Sequence, residues 1–322
     1  MMAMPRGARA ARSALAQLAA LPLIVACSSS ADAPQSAAPS AVENVDWTTL
    51  LTGDWSRDPG TEGYTCVKKT TDKDYFVAGF EAINPLGTHH TLLTMGPPNG
   101  PDGTTDCTAA DNDLKSVFGS GVGTNPLEFP KGLAVKIPSG TQLLLNLHLF
   151  NTSTKPITGT SGTRIHAIPG TEVTELAEGI LAGTVALDIP AGQTKTTTGY
   201  CTMTSEVTIF AVAPHMHQIG IYEKVVAESS IAGDVTLFDG PYDFNEQSYN
   251  LISPVKLAKG DKVRVECTHH NTTDHDVTFG QSSLQEMCFA GIYRYPADGT
   301  PFICVDGFAL TSLPGQDGGI GM

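Results

Sequence analysis

Residues 207–220 read VTIFAVAPHMHQIG, an apolar run that ends in two histidines one residue apart. β-Branched and aromatic residues dominate the run, which predicts a β-strand whose alternate residues face the same side. His215 and His217 are therefore expected on one face together with Ile209, and Phe210 on the opposite face. Two imidazoles side by side on a stiff strand can form half of a metal site.

Candidate partners for such a site occur at three other places in the chain. His89 and His90 are adjacent, so the backbone must bend or bulge for both imidazoles to reach one ion. His148 lies in the run LLLNLHLF at 143–150, on the face opposite four leucines. Met287 offers a thioether, a soft donor that suits Cu(I) better than hard cations. Taken singly, each histidine can also be a satisfied polar group and the methionine can be core filler.

The first 26 residues are typical of a bacterial export signal. Three arginines precede an apolar segment at 13–26 that is too short to span a membrane. Cys27, after a small residue and before three serines, resembles the lipidated first residue of a mature lipoprotein; the alternative is an ordinary signal peptide cut nearby. Residues 27–45, rich in Ser, Ala and Pro, are expected to form a disordered tether. We therefore expect export to the bacterial cell envelope, at the periplasm, outer membrane or cell surface, with a lipid anchor as the only membrane attachment.

Charge and composition restrict the class of protein. The formal net charge of −14 becomes −17 once the three arginines of the signal are removed, so nucleic acid is not expected as a partner. Glycine and proline are frequent, at 33 and 21 residues, and they separate short apolar runs. Segments with a sustained period of 3.6 residues are missing. This pattern predicts an all-β chain built from antiparallel β-sandwiches.

Beyond Cys27 the chain has six cysteines: Cys66, Cys107, Cys201, Cys267, Cys288 and Cys304. An even number in an exported chain predicts three disulfides, for which the sequence alone allows fifteen connectivities. Two cysteines fall in the first half and four in the second, which indicates two separately bridged domains. The alternative, that cysteines bind copper, is less consistent with an oxidising compartment and the absence of a Cys-x-x-Cys motif.

Taken together, the motifs resemble those of the copper type II, ascorbate-dependent monooxygenases, the family of peptidylglycine α-hydroxylating monooxygenase and dopamine β-monooxygenase. The likeness runs from about Tyr64 to Cys304. The matching motifs occur in the family's order: His89-His90, Phe129-Pro130-Lys131-Gly132, His148, His215-x-His217 and Glu286-Met287-Cys288.

This resemblance implies two tandem antiparallel β-sandwich domains of jelly-roll type, with one copper each, facing one another across a solvent-filled cleft. The expected domains are residues 46–175 and 176–312, followed by a flexible tail at 313–322. It also implies the pairings Cys66–Cys107, Cys201–Cys304 and Cys267–Cys288.

The resemblance also assigns roles to the candidate ligands. An electron-transfer copper would be held by His89, His90 and His148. The catalytic, oxygen-binding copper would be held by His215, His217 and Met287.

The activity that the resemblance implies is hydroxylation of a C–H bond of a small organic substrate. Dioxygen is the oxidant, and ascorbate or another one-electron reductant supplies electrons through both coppers. Two substrate anchors of the peptide-amidating members are replaced, because Ala213 stands where they have Arg and Gly291 where they have Tyr. Peptide amidation is therefore not expected.

Two other classes of function use the same residues. A non-catalytic envelope protein could hold or relay copper, and a structural or adhesive pair of sandwiches could carry surface histidines. The two chemically different ligand sets favour the enzyme, since storage needs no such asymmetry. The remaining histidines are not expected to touch metal: His166, His269, His270 and His275.

Overall fold

The computed structural model describes residues 45–113, 115–299, 302–305 and 308–310. The predicted export signal, Cys27, the tail at 313–322 and all but the last residue of the predicted tether lie outside the described residues. Within the described ranges the regular structure is β-strand, apart from one 3₁₀ turn at Gly170–Glu172. No helix in this part of the chain is long and apolar enough to cross a membrane. The all-β prediction is confirmed.

The first sandwich consists of two sheets. Its strands are β1 (Thr48–Arg57), β2 (Glu62–Thr70), β3 (Tyr75–Ile83), β4 (Thr88–Gly96), β5 (Gly103–Cys107), β6 (Lys115–Gly121), β7 (Leu127–Glu128), β8 (Leu133–Ile137), β9 (Gln142–Phe150), β10 (Ile157–Ala167) and β11 (Glu175–Leu176). One sheet has the order β1-β10-β3-β8-β11, with β7 paired to β3. The other has the order β5-β2-β9-β4-β6 and is called the first cleft sheet below.

Strand β9 shows why this sandwich forms. Leu145, Leu147 and Leu149 alternate along the strand and are fully buried in the core between the two sheets. Asn146 and His148 point to the opposite face, as the alternation predicts. His148 is therefore presented on the outer face of the first cleft sheet, toward the second sandwich.

The second sandwich follows directly. Its strands are β12 (Glu178–Thr184), β13 (Asp188–Ile189), β14 (Thr194–Thr202), β15 (Val207–His215), β16 (Gly220–Ser229), β17 (Gly233–Pro241), β18 (Asn250–Leu257), β19 (Lys262–His270), β20 (Val277–Thr278), β21 (Cys288–Tyr295), β22 (Ile303–Val305) and β23 (Phe308–Leu310). The second cleft sheet has the order β18-β15-β21-β12-β22-β23, and the outer sheet has the order β14-β19-β16-β17. Strands β13 and β20 form a separate pair.

Strand β15 departs from the predicted alternation. Its register against β18 and β21 shifts between Ile209 and Ala211, as in a β-bulge. Phe210 and Ala211 both pack into the core that includes the first sandwich, whereas Ile209 packs into the core of the second. The predicted faces of Ile209 and Phe210 were therefore wrong, because the extra residue inverts the alternation before it reaches His215.

Aromatic side chains join the two sandwiches. The ring of Phe129, from the Phe-Pro-Lys-Gly turn, lies 5.0 Å from the rings of both Phe210 and Tyr293 of the second sandwich. The buried hydroxyl of Tyr293 donates a hydrogen bond to the carbonyl of Val117, at 2.7 Å. Phe210 and Tyr293 belong to the same hydrophobic cluster as the core of the first sandwich. A shared apolar core of this kind opposes relative domain motion.

The six cysteines form three disulfides: Cys66–Cys107, Cys201–Cys304 and Cys267–Cys288. These are the pairings that the family resemblance implies. One bridge lies in the first sandwich and two lie in the second, where they join strands of different sheets.

The protein beginning at residue 46 should therefore show no free thiols when it is unfolded without reductant. Replacing Cys201 and Cys304 together by Ser should lower the free energy of unfolding by about 3–5 kcal/mol, because this bridge closes a long loop of 103 residues. Thiol titration and denaturant unfolding measure the two quantities. Two or more free thiols in the wild-type protein would contradict the three-bridge structure.

Candidate metal centre

Three histidines of the first cleft sheet converge on one point. The register of β4 against β9 shifts between Thr88 and His90, so the bulge expected at the adjacent histidines is present. His90 lies opposite His148 across the two strands. The Nδ1 atom of His89 is 3.0 Å from that of His148 and 3.3 Å from that of His90, and the last two are 3.3 Å apart.

This triangle of nitrogens cannot satisfy itself by hydrogen bonding. Each Nδ1 of a neutral imidazole either donates or accepts, so at least two of three mutually adjacent nitrogens are of the same kind. A cation that takes three lone pairs removes the conflict. The three distances place each nitrogen about 1.9 Å from the centre of the triangle, close to a metal–nitrogen bond of about 2.0 Å. The residues present therefore fit a metal ion.

Burial keeps these histidines neutral. It lowers the pKa of His89 to about 3, with further contributions from the charges of nearby histidines. Burial also lowers the pKa of His90 well below its ordinary value, and that of His148 to a smaller extent. Neutral imidazoles carry the lone pairs that a metal needs, so the set is ready to bind at neutral pH.

A carboxylate fixes the orientation of His148. The Nε2–H of His148 donates a hydrogen bond to Oε1 of Glu62 at 2.5 Å. The lone pair of His148 is therefore on Nδ1, which faces the other two histidines. Tyr64 stacks on the same ring, with centroids 4.4 Å apart. Glu62 also accepts a hydrogen bond of 3.2 Å from the hydroxyl of Ser283, in the second sandwich. Sequence reasoning missed Glu62, since its contact with His148 spans 86 residues.

The second pair of histidines has its tautomers set by oxygen acceptors. His215 Nδ1 donates to the amide oxygen of Gln247 at 2.9 Å, and His217 Nδ1 donates to the carbonyl of Gln285 at 3.0 Å. The amide nitrogen of Gln247 donates to the carbonyl of Phe244 at 3.0 Å, which fixes the orientation of the amide. Both Nε2 atoms therefore carry the lone pairs. Burial lowers the pKa of His217 to about 4 and also lowers that of His215.

Met287 lies beside this pair. Its side chain is nearly buried and lines the same cavity as His215 and His217, while it also packs against Phe289 and Ile303. Two neutral imidazoles and a thioether on one cavity wall are a soft donor set that fits Cu(I). Met216, which stands between the two histidines, is fully buried in the core of the second sandwich, away from the cavity.

A buried carboxylate holds the second ligand set together. Glu286, 1% exposed, accepts hydrogen bonds from the backbone N–H groups of His217, Ile219 and Met287 at 2.9, 2.8 and 3.2 Å. It also lies 3.2 Å from Nε2 of buried His269. Burial alone would raise the pKa of Glu286, but interactions that include the hydrogen bonds from His269 and from the backbone N–H of His217 lower it. His269 therefore helps to position Glu286, and Glu286 positions the backbone of the second ligand set.

The other three histidines lie elsewhere. His166 pairs with Glu128, His270 with the hydroxyl of Thr194, and His275 with its neighbour Asp274. The described residues that could together hold a metal through His, Cys or carboxylate donors are His89, His90 and His148.

Residues 242–249, the bridging segment, bring the two histidine sets close together. The ring of Phe244 is 4.5 Å from the ring of His89 and 6.3 Å from that of His217, so these two rings are at most about 11 Å apart. The backbone N–H of Gln247 donates to the carbonyl of Val122 in the first sandwich, at 3.2 Å. The bridging segment therefore contacts both histidine sets and the first sandwich.

Comparison with known proteins identifies the second sandwich. The family "Copper type II ascorbate-dependent monooxygenase, C-terminal domain" matches residues 176–307. The second sandwich is thus similar to the C-terminal domain of the copper type II ascorbate-dependent monooxygenases.

Two curated relatives are similar over a longer part of the chain. "Putative DBH-like monooxygenase protein 2" of Homo sapiens is 27% identical over 238 residues, which cover 65% of this chain and 47% of that protein. "DBH-like monooxygenase protein 2" of Mus musculus is 27% identical over 255 residues, which cover 70% and 41%. The chain spans less than half the length of both relatives.

Among solved structures, dimeric latent PorU from Porphyromonas gingivalis matches 75% of this chain and 25% of that chain, with a TM-score of 0.18 and 11% identity. A likeness at that level carries no structural argument.

Ala213 and Gly291, which the sequence comparison expected to replace substrate anchors, are neighbours in the structure. Ala213 on β15 lies opposite Gly291 on β21. Both line a cavity of about 440 Å³ between the two cleft sheets, which also reaches His90, His215 and Met287. The side of the cavity nearest the second ligand set therefore has no charged anchor among its described residues.

Two buried glutamates beside the second ligand set offer a matched pair of variants. Glu286 is an ionised acceptor of several hydrogen bonds. Glu223, fully buried, accepts one N–H from His215 at 3.0 Å, and burial raises its pKa well above the ordinary value. Glu286→Gln should lower the free energy of unfolding by about 3 kcal/mol, and Glu223→Gln by less than about 1 kcal/mol. Denaturant unfolding of the metal-free protein measures both. Equal costs would contradict the structure.

The raised pKa of Glu223 also sets the sign of a pH effect. Above the ordinary pKa of 4.5 the unfolded chain releases this proton while the folded chain retains it, so the free energy of unfolding falls as pH rises toward the folded pKa. Glu223→Gln removes that contribution. The stability of wild type relative to this variant should therefore decrease between about pH 4 and about pH 7. An increase over this range would show that Glu223 is ionised in the fold.

Proposed function

We propose that the protein is a copper-dependent monooxygenase that hydroxylates a C–H bond of a small organic substrate, with dioxygen and a one-electron reductant such as ascorbate. The observation that supports this most strongly is the presence of two chemically different ligand sets at one cavity. The first set is His89, His90 and His148, of which His90 lines the cavity, and the second is His215, His217 and Met287, which all line it.

The overall reaction converts the substrate C–H and one molecule of dioxygen to the alcohol and water, and consumes two electrons and two protons. Copper bound at the two sets would supply the one-electron redox chemistry. The neutral imidazoles of the first set suit both oxidation states, whereas the thioether of Met287 favours the reduced one. Glu62 and Glu286 hold the ligands in place, and Phe244 limits the space between the two sets.

The cavity favours this function over that of a non-catalytic copper holder or relay. A holder needs only the ligands, whereas a hydroxylase needs room for an organic substrate beside them. The cavity of about 440 Å³ falls within the range of small-molecule sites. Export to an oxidising bacterial envelope, with Cys27 as the lipid anchor, is consistent with the three disulfides.

Ascorbate-driven oxygen uptake coupled to a hydroxylated product tests the proposal. His148→Ala removes one imidazole of the first set, so multiple turnover should fail for want of the second electron. Met287→Leu removes the thioether, so the copper–sulfur component of the X-ray absorption spectrum of the Cu(I) protein should disappear, while His148→Ala keeps it.

Met216→Leu is the matched control for the sulfur signal, because Met216 is buried in the core and should not contribute. Copper binding without product or reductant-driven oxygen uptake would indicate the relay function instead. A wild-type Cu(I) spectrum without any sulfur scatterer would show that Met287 only packs.

A further inference from the structure

The cavity between the cleft sheets has a mostly apolar wall. Its lining includes Leu92 and Gly119 of the first sandwich and Leu181, Ala213, Gly291 and Ile303 of the second. None of its described lining residues is Lys or Arg, and Asp113 is the one carboxylate among them.

Gly291 leaves space that the fold does not require. Its φ lies outside the left-handed region, and a Cβ added there would meet nothing closer than Ala213, at 3.6 Å. That is an ordinary van der Waals contact. By contrast, a Cβ on Gly199 of the same sandwich would overlap the backbone of Gly183. Packing therefore demands a glycine at 199 and not at 291.

The opposite wall repeats this feature. A Cβ on Gly119 of β6 would meet Leu92 at 3.8 Å and the hydroxyl of Tyr249 at 3.9 Å. Glycine in the interior of a strand is less favourable than alanine, and here neither the backbone conformation nor the packing requires it. Two such glycines, on facing walls of one cavity, indicate space kept for a ligand.

Several polar groups around this space are already paired, while the buried Oδ1 of Asn112 has no hydrogen-bond partner. The hydroxyls of Tyr249 and Tyr293 donate to the carbonyls of Gly119 and Val117, at 2.9 and 2.7 Å. The amide nitrogen of Asn146 donates to backbone carbonyls. The two tyrosine hydroxyls and the Asn146 amide nitrogen are therefore engaged with the protein, and Asn112 Oδ1 is an uncharged acceptor that a neutral donor such as a hydroxyl can satisfy.

Asp113 lies far along the cavity from the histidines. Its backbone N–H donates to the hydroxyl of Thr94 at 3.0 Å, and Thr94 is four residues from His90 on β4. Four residues of an extended strand span about 13 Å. An ammonium group paired with Asp113 would thus lie well away from the ligand sets.

We propose that the substrate is an uncharged, largely apolar molecule whose body occupies the space between Gly119 and the Ala213–Gly291 pair. This deepens the monooxygenase function proposed above and rests on it for the reaction, but binding in this space needs no metal. An engineered apolar cavity of about 150 Å³ is enough for benzene, so a space of about 440 Å³ has room for a larger substituted ring.

Three probes with one scaffold test the proposal: 2-phenylethanol, 2-phenylethylamine and 3-phenylpropanoate. Titration calorimetry on the metal-free protein should show 2-phenylethanol binding at least about tenfold more tightly than either charged analogue. Gly291→Leu and Gly119→Leu each fill the cavity from one wall and should weaken that binding by about tenfold or more.

Gly240→Leu is the matched control, since Gly240 lies on β17 outside the cavity and a Cβ there meets only Phe238, at 3.5 Å. It should leave binding unchanged. Gly291→Ala, which adds one methyl group at an ordinary contact distance, checks that the strand tolerates a side chain. Gly119 and Gly291 lie in different sandwiches. If one of the two leucine variants does not fold, the other can still be used to test binding.

Tighter binding of the amine that is lost in Asp113→Asn would overturn the proposal in favour of a cationic substrate. Tighter binding of the carboxylate, no binding of any probe, or binding of the neutral probe that neither filler weakens would also overturn it. If the neutral probe binds but no copper-dependent turnover is found, the monooxygenase function is refuted, while the proposed apolar binding site is retained. Turnover of a charged substrate would refute the substrate class alone.

Discussion

The aromatic contact between the two sandwiches is the constraint on which the rest of the structure depends. Phe129 packs against Phe210 and Tyr293, so the two domains share one apolar core. That docking fixes the bridging segment against the first sandwich, where the backbone N–H of Tyr249 donates to the side chain of Asn125 at 2.8 Å. Phe244 is then held between His89 and His217. The two histidine sets, one from each domain, are thereby held close together.

Two carboxylates, Glu62 and Glu286, fix the positions of the ligands once the two domains are docked. Glu62 sets the tautomer of His148 and also accepts from Ser283 of the other domain, so the first ligand set is tied to the interface. Glu286 accepts hydrogen bonds from the backbone N–H groups of His217 and Met287, so these two ligands are held in a fixed relative position. Neither carboxylate needs to touch a metal to decide where the ligands point.

Local patterns in the sequence were enough for part of this arrangement. Alternation along 143–149 placed His148 opposite the leucine face, and the adjacency of His89 and His90 required the bulge that β4 contains. The bulge at Phe210 was missed because nothing in an apolar run marks an extra residue. Glu286 has no local signal either, since its contact with His217 spans 69 residues. The ligand sets and disulfide pairings came from the family resemblance.

The proposal of two copper sites is tested most directly by titrating the metal-free protein with Cu(I) against a competing chelator. Two equivalents should bind per chain, one at each ligand set, and replacing His89 and His148 together by Ala should leave one. The neutral imidazoles and the thioether predict a preference for Cu(I) over zinc under reducing conditions. Wild-type protein that binds a single equivalent, or that takes up zinc in stoichiometric amount and no copper, would contradict the two-site arrangement.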